Sequence, residues 1–133
     1  MKKKILIVSS NYYTEISNNL EKGSMDTLKE NGYLYDLINA PGCFEIPFII
    51  KENIKNYIGF ISLGCIIKGE TYHFEVIANE TSRKIMDLSV DNNIPIGFGI
   101  LTCYNLNQAI VRSDINQLNK GREAALACIK LLK

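Results

Sequence analysis

Residues Tyr57 to His73 read Y-I-G-F-I-S-L-G-C-I-I-K-G-E-T-Y-H, an apolar run that breaks at Lys68-Gly69 into a polar loop. From Tyr57 to Ile67 the run is nearly continuous in apolar residues rather than alternating. That pattern suits a parallel strand covered on both faces. The loop after it opens a stretch of helical periodicity, so the segment reads as strand, loop and helix start.

Working outward, three more apolar runs read as strands: Lys4 to Ser9, Tyr33 to Asn39 and Ile96 to Thr102. Helical spacing fills the gaps between them. Ile16, Leu20, Met25 and Leu28 keep a helical interval before an Asn31-Gly32 stop. A second helix starts near Glu45, tolerates Pro47 in its first turn and sets Ile46, Ile49, Ile50 and Ile54 on one side. A third runs from about Phe74 to Asn92, with Phe74, Ile77, Ala78, Thr81, Ile85 and Leu88 on one face. After the last strand come helical stretches from Asn105 to Val111 and from Asn119 to Leu132. The latter gathers Ala124, Ala125, Cys128, Leu131 and Leu132 on one face. Strands alternating with helices predict an α/β fold with a four-stranded parallel sheet and right-handed crossovers. No repeat or linker interrupts the chain, so residues 1–133 read as one domain.

The bulk numbers narrow the function. Hydrophobic residues make up 47% and charged residues 22%, an ordinary soluble balance. Fifteen basic against fourteen acidic side chains leave a formal net charge of +1. So small a charge gives no field for nucleic acid or an anionic membrane, and any bound anion needs a local site. Cys43, Cys65, Cys103 and Cys128 form no C-x-x-C pair, which fits reduced, buried thiols rather than a metal site or a disulfide framework. The apolar run after Met1-Lys2-Lys3-Lys4 is too short for a signal peptide, and no stretch approaches a membrane span. A cytosolic protein is the expectation.

Ligands of parallel α/β sheets bind outside the carboxyl ends of the strands. That directs attention to Ser9–Tyr13, Ala40–Glu45, Ile67–His73 and Thr102–Asn105. In Lys68-Gly69-Glu70-Thr71-Tyr72-His73, glycine allows close backbone approach and the helix start offers free N–H groups to an anion. His73 is the only histidine, placed either for structure or for proton transfer near neutral pH. Glu45 reads first as a complement to a helix dipole, and alternatively as an acceptor for ligand hydroxyls. Arg112 and Lys120 are ordinary solvated cations unless one clamps a phosphate. Tyr12 and Phe98 serve either the core or stacking on a flat heterocycle.

Taken together, these segments resemble one family. Ala40 to Pro47, A-P-G-C-F-E-I-P, is similar to the P-G-A-F-E-I-P segment of the lumazine synthases. Leu63 to Glu80, LGCIIKGETYHFEVIANE, resembles their L-G-x-V-I-R-G-x-T-x-H-F-x-x-x-x-N-E block. Ile94 to Thr102, IPIGFGILT, resembles their P-V-x-F-G-V-L-T strand, and Gln108-Ala109 through Arg112 and Asn119-Lys120-Gly121 match Q-A-x-x-R and N-K-G. The resemblance covers roughly Ile5 to Leu131 in the family's order.

It implies a three-layer flavodoxin-like sandwich and a reaction. That reaction condenses 5-amino-6-(ribitylamino)uracil with 3,4-dihydroxy-2-butanone 4-phosphate, giving 6,7-dimethyl-8-ribityllumazine and phosphate without metal or organic cofactor. It also implies a homopentamer, which in some members closes into a 60-subunit capsid. By the same resemblance His73 moves protons, and Arg112, from the adjacent subunit, binds phosphate with Glu70 and Thr71. Glu45 takes ribityl hydroxyls beside Cys43 and Phe44, while Cys65, Ile66 and Ile67 read the pyrimidine edge. Tyr12 stacks on the heterocycle, Phe98 contacts ligand, and Lys120 adds positive charge.

Departures accompany the likeness. The family's aromatic-Asn pair reads Tyr12-Tyr13 here, Asn11 stands where arginine is common, and Lys68 replaces an arginine. Asp114 to Leu118 lacks the glycines of capsid-forming members, and little chain precedes the first strand, which points to a free pentamer. Three alternatives fit the sequence less well. A catalytically idle lumazine- or flavin-binding relative would have no need of His73, Arg112 and Thr71 together. A phospho-receiver module would need acidic residues where Ser9-Ser10-Asn11 stands. A pure cage protein would need no site.

Overall fold

Ile5, Leu6, Ile7 and Val8 are all fully buried, although neighbouring residues of a strand point to opposite faces. Both faces of the sheet must therefore be covered. The computed structural model describes residues 3–132 and shows how. The order is β1 (Lys4–Ser10), α1 (Thr14–Glu30), β2 (Leu34–Ala40), a 3-10 turn (Cys43–Glu45) and α2 (Ile46–Glu52). There follow β3 (Gly59–Ile67), α3 (His73–Asn92), β4 (Ile96–Cys103), α4 (Leu106–Ser113) and α5 (Lys120–Leu132).

All strand pairings are parallel, in the order β2-β1-β3-β4, with Ile5 opposite Gly59 and Phe60 opposite Ile96. On one face Ile5, Ile7, Ile61, Leu63 and Leu101 pack under α1, α4 and α5 through Leu20, Leu28, Ala109 and Ala125. On the other, Leu6, Val8, Phe60 and Ile100 meet Ile46 and Ile50 of α2 and Ile85 and Leu88 of α3. The result is a three-layer, flavodoxin-like α/β sandwich.

Small residues set the spacing of the first layer. A Cβ on Gly121 would overlap the Leu20 carbonyl oxygen, so α1 and α5 touch backbone to backbone. Ser24 Oγ donates to the Gly121 carbonyl at 2.7 Å inside that contact. Asn119, at φ 46, turns the chain into α5 and accepts the Arg122 N–H on its side chain. At α4, Asn105 Oδ1 accepts the Gln108 N–H at 2.9 Å, and Gln108 Oε1 accepts the Tyr104 N–H at 2.8 Å. These reciprocal bonds satisfy donors that a helix start leaves free. Within Q-A-x-x-R and N-K-G, then, glutamine, alanine, asparagine and glycine do structural work.

Four expectations need correction. Coverage on both faces holds for β1 and β3, but β2 and β4 are the edges, where Leu34, Phe98 and Thr102 are exposed. The segment at Glu45 begins as a 3-10 turn, and α2 ends at Glu52, so Ile54 packs on the core from beyond the helix. Helix α3 starts at His73, not Phe74, which puts the histidine in its first turn. Leu131 is 64% exposed because Cys128 and Leu132 occupy the space above Gly59 where α5 ends.

Candidate active site

In a sheet of this order the connections leave in opposite directions on either side of β1 and β3, and a crevice opens at their carboxyl ends. A cavity of about 570 Å³ lies there, within the usual range for small-molecule sites. Ser10, Cys65, Ile66 and Ile67 contribute the strand ends. Gly42, Cys43, Phe44 and Glu45 form the wall from the 3-10 turn, and Tyr12 and Tyr13 the wall before α1. Gly69, Thr71, His73, Phe74 and Ile77 line the side where α3 begins.

Nine of the residues singled out from sequence therefore share one cavity: Tyr12, Cys43, Phe44, Glu45, Cys65, Ile66, Ile67, Thr71 and His73. Four do not line it. Glu70 is exposed on the loop between Gly69 and Thr71. Phe98 lies on β4 opposite Ser62, 44% exposed. Arg112 stands in the last turn of α4, where Nη1 donates to the Gln108 carbonyl at 3.2 Å. Lys120 opens α5 and pairs with Glu123 at 3.0 Å.

Lining residues beyond the named candidates are Ser10, Tyr13, Gly42, Phe74 and Ile77, together with Gly69, already marked in the sequence for close backbone approach. Phe74 and Ile77 carry the helical periodicity of a core face, and their place at the start of α3 turns that face toward the cavity. Ser10 and Tyr13 fall within the strand-end segment already marked by the binding rule. Position, not residue type, was their signal.

Chemically the cavity is more apolar than polar. Tyr12 and Phe44, both lining the cavity, are 74% and 53% exposed. Large aromatic surface left in water at a cavity mouth is suited to a flat ligand. Burial pushes the Cys43 thiol up to about 11 and the Cys65 thiol up to about 12. Both stay neutral at physiological pH and act as small apolar walls, not nucleophiles. Their packing is tight: a Cβ on Gly64 would stand 2.6 Å from Cys43 Sγ. His73 is exposed at the start of α3, its backbone N–H toward Thr71 Oγ1 at 3.4 Å. Beyond the loop Lys68 Nζ pairs with Glu75 at 3.0 Å and lies 5.7 Å from the Phe74 ring centroid. The Lys68 hydrogen bond holds the Glu75 carboxyl below its ordinary value.

A parallel sheet with an aromatic-walled cavity at its switch point, edged by a helix start and one histidine, defines a small-molecule-binding α/β sandwich. Comparison with known proteins makes this specific. The chain belongs to the 6,7-dimethyl-8-ribityllumazine synthase family, whose model matches residues 2–133. Proteins of that name are similar along nearly their whole length. The one from Bartonella bacilliformis is 44% identical over 136 residues, 97% of this chain and 90% of the relative. The one from Bartonella tribocorum is 45% identical over 141 residues, covering 100% and 93%. The one from Novosphingobium aromaticivorans is 43% identical over 131 residues, covering 97% and 94%. Among the described residues, no helix is long and apolar enough to cross a membrane.

Proposed function

We propose that this chain is a transferase of riboflavin biosynthesis, condensing 5-amino-6-(ribitylamino)uracil with 3,4-dihydroxy-2-butanone 4-phosphate to 6,7-dimethyl-8-ribityllumazine, with loss of phosphate and water. One observation carries the reading: two segments matching the family's motifs, Ala40 to Pro47 and Leu63 to Glu80, meet Tyr12 around a single cavity at the switch point. The idle binding relative finds no support in a site where His73 and Thr71 stand together.

The proposed roles are those the family resemblance implies, and the shared cavity supports them. The pyrimidine lies against Tyr12, its edge toward the backbone of Cys65, Ile66 and Ile67. The ribityl chain runs toward Glu45, Cys43 and Phe44. The phosphate sits at the start of α3, where Thr71, the Glu70 segment and unpaired helix N–H groups receive an anion. Imine formation moves a proton off the attacking amine and onto the departing hydroxyl. Phosphate elimination moves another from carbon. One exposed imidazole, His73, serves both transfers. Holding amine against ketone supplies about 7–11 kcal/mol in favourable cases.

Arg112, Lys120 and Phe98 complete the site only from a second copy, and their positions outside their own chain's cavity support that reading. We take the assembly to be a homopentamer, not a 60-subunit capsid, each chain working as one domain in the cytoplasm. The decisive experiment mixes the purified protein with both substrates and follows lumazine fluorescence and phosphate together. Matched release well above the uncatalysed rate is expected. Tight lumazine binding with no acceleration would overturn the synthase reading.

A further inference from the structure

Tyr13 lines the cavity beside Tyr12, yet the family's motifs give it no role. The two rings meet edge to face, centroids 5.0 Å apart and planes at 82°. Their surroundings differ. Tyr12 is largely exposed, whereas Tyr13 is half-buried and packs on the cluster formed by the sheet and α1. Tyr13 is also held by its backbone, for its carbonyl accepts the Ser17 N–H at 2.9 Å as α1 begins. An exposed ring on a loop samples several rotamers, and a fixed ring against it removes some of them. The edge-to-face contact leaves at least one face of Tyr12 open to a flat ligand.

We propose that Tyr13 is a positioning residue, whose core-anchored ring holds Tyr12 as the platform on which the substrate heterocycle stacks. The identity of that heterocycle rests on the synthase reading; the geometry of the pair does not. Burial, with Cys65 and Tyr12 adding to it, raises the Tyr13 phenol above its ordinary value. The side chain is thus neutral near pH 7 and acts through its ring.

The test is a titration of 6,7-dimethyl-8-ribityllumazine into the full-length protein, read by the ligand's own fluorescence. Tyr13→Leu is expected to weaken binding by about two- to tenfold, the span of an edge-to-face aromatic pair. The KM for the pyrimidine rises in parallel, while the KM for the butanone phosphate and kcat hold. Tyr13→Phe recovers most of the loss. In a double-mutant cycle, Tyr12→Leu/Tyr13→Leu binds no worse than Tyr12→Leu alone. Equal losses in the Leu and Phe variants, no loss in the Leu variant, or additive losses in the cycle would each overturn the proposal. Should Tyr13→Leu fail to fold, Tyr13→Met replaces it under the same expectations. Turnover by the unsubstituted protein is measured separately. Its absence would sink the synthase reading while lumazine binding still reports on Tyr13.

Discussion

Lys68 Nζ stands 3.0 Å from Glu75 Oε2, so one ion pair ties the end of β3 to the first turn of α3 across the loop carrying Thr71 and His73. The Lys68 N–H also donates to the Cys103 carbonyl at 2.9 Å, fixing that end of the loop to β4. Lys68 is exposed and Glu75 partly so, and the effect of such a pair is local and small in global stability.

Lys68→Ala should let the Glu75 carboxyl rise toward its ordinary 4.5, because the Lys68 hydrogen bond is the main cause of its depression. A depressed native value stabilises above the unfolded value and is lost as pH falls through the native one. Amide protection near His73, taken relative to the intrinsic exchange rate at each pH, should therefore weaken below about pH 4.5 in the parent, and the variant should show that weaker protection already at neutral pH. An unchanged Glu75 titration, followed by NMR, would mean the pair does not form in solution.

His73→Ala should lower kcat by about a hundredfold or more, the ordinary worth of a placed acid–base group. Binding of the product lumazine should change little, since the aromatic walls and Glu45 remain. Loss of binding and turnover together would move His73 from chemistry to ligand capture.

A mixture of His73→Ala and Arg112→Ala chains, unfolded and reassembled together, should recover activity that neither variant shows alone. In a ring whose neighbours share a site, random assembly restores about a quarter of the sites. No recovery would place Arg112 and His73 in the same chain's site or remove Arg112 from the reaction.

Stability should fall as pH rises past about 9. The unfolded thiols ionise near 9.0, while burial keeps Cys43 protonated to about 11 and Cys65 and Cys128 to about 12. Between those values the unfolded state binds fewer protons, so stability declines with pH. Urea unfolding from pH 8 to 10.5 reads the slope, and replacing Cys128 by alanine should flatten it.

Gly121→Ala should cost about 1–3 kcal/mol, the usual penalty for forcing volume into a packed contact, because the new methyl meets the Leu20 carbonyl oxygen. Calorimetry should show the lowered Tm. An unaltered Tm would show that α1 and α5 can separate without penalty.

Much of the sandwich was legible in the chain itself. Ile5 to Val8 are apolar at consecutive positions, as are Phe60 and Ile61 with Leu63 just beyond, and only a strand between two helical layers buries them all. Edges were harder to read. Leu34 and Phe98 are as apolar as their buried neighbours, and only the strand order reveals that they lie outside. In the site, residues within one loop were readable because the loop carries them together. Phe74 and Ile77 were not, since one helical stripe serves core and cavity alike. Arg112 and Lys120 illustrate a further limit: the periodicity of one chain says nothing about what a second chain brings. Gln108, Asn119 and Gly121 stand out as motif letters, yet their bonds show caps and close packing.

The Cys43 thiol fills the space that a side chain at position 64 would need. The two positions are therefore sterically coupled. A lineage that enlarges residue 64 first has to shrink residue 43, and the reverse order passes through an ancestor whose cavity wall is pushed apart.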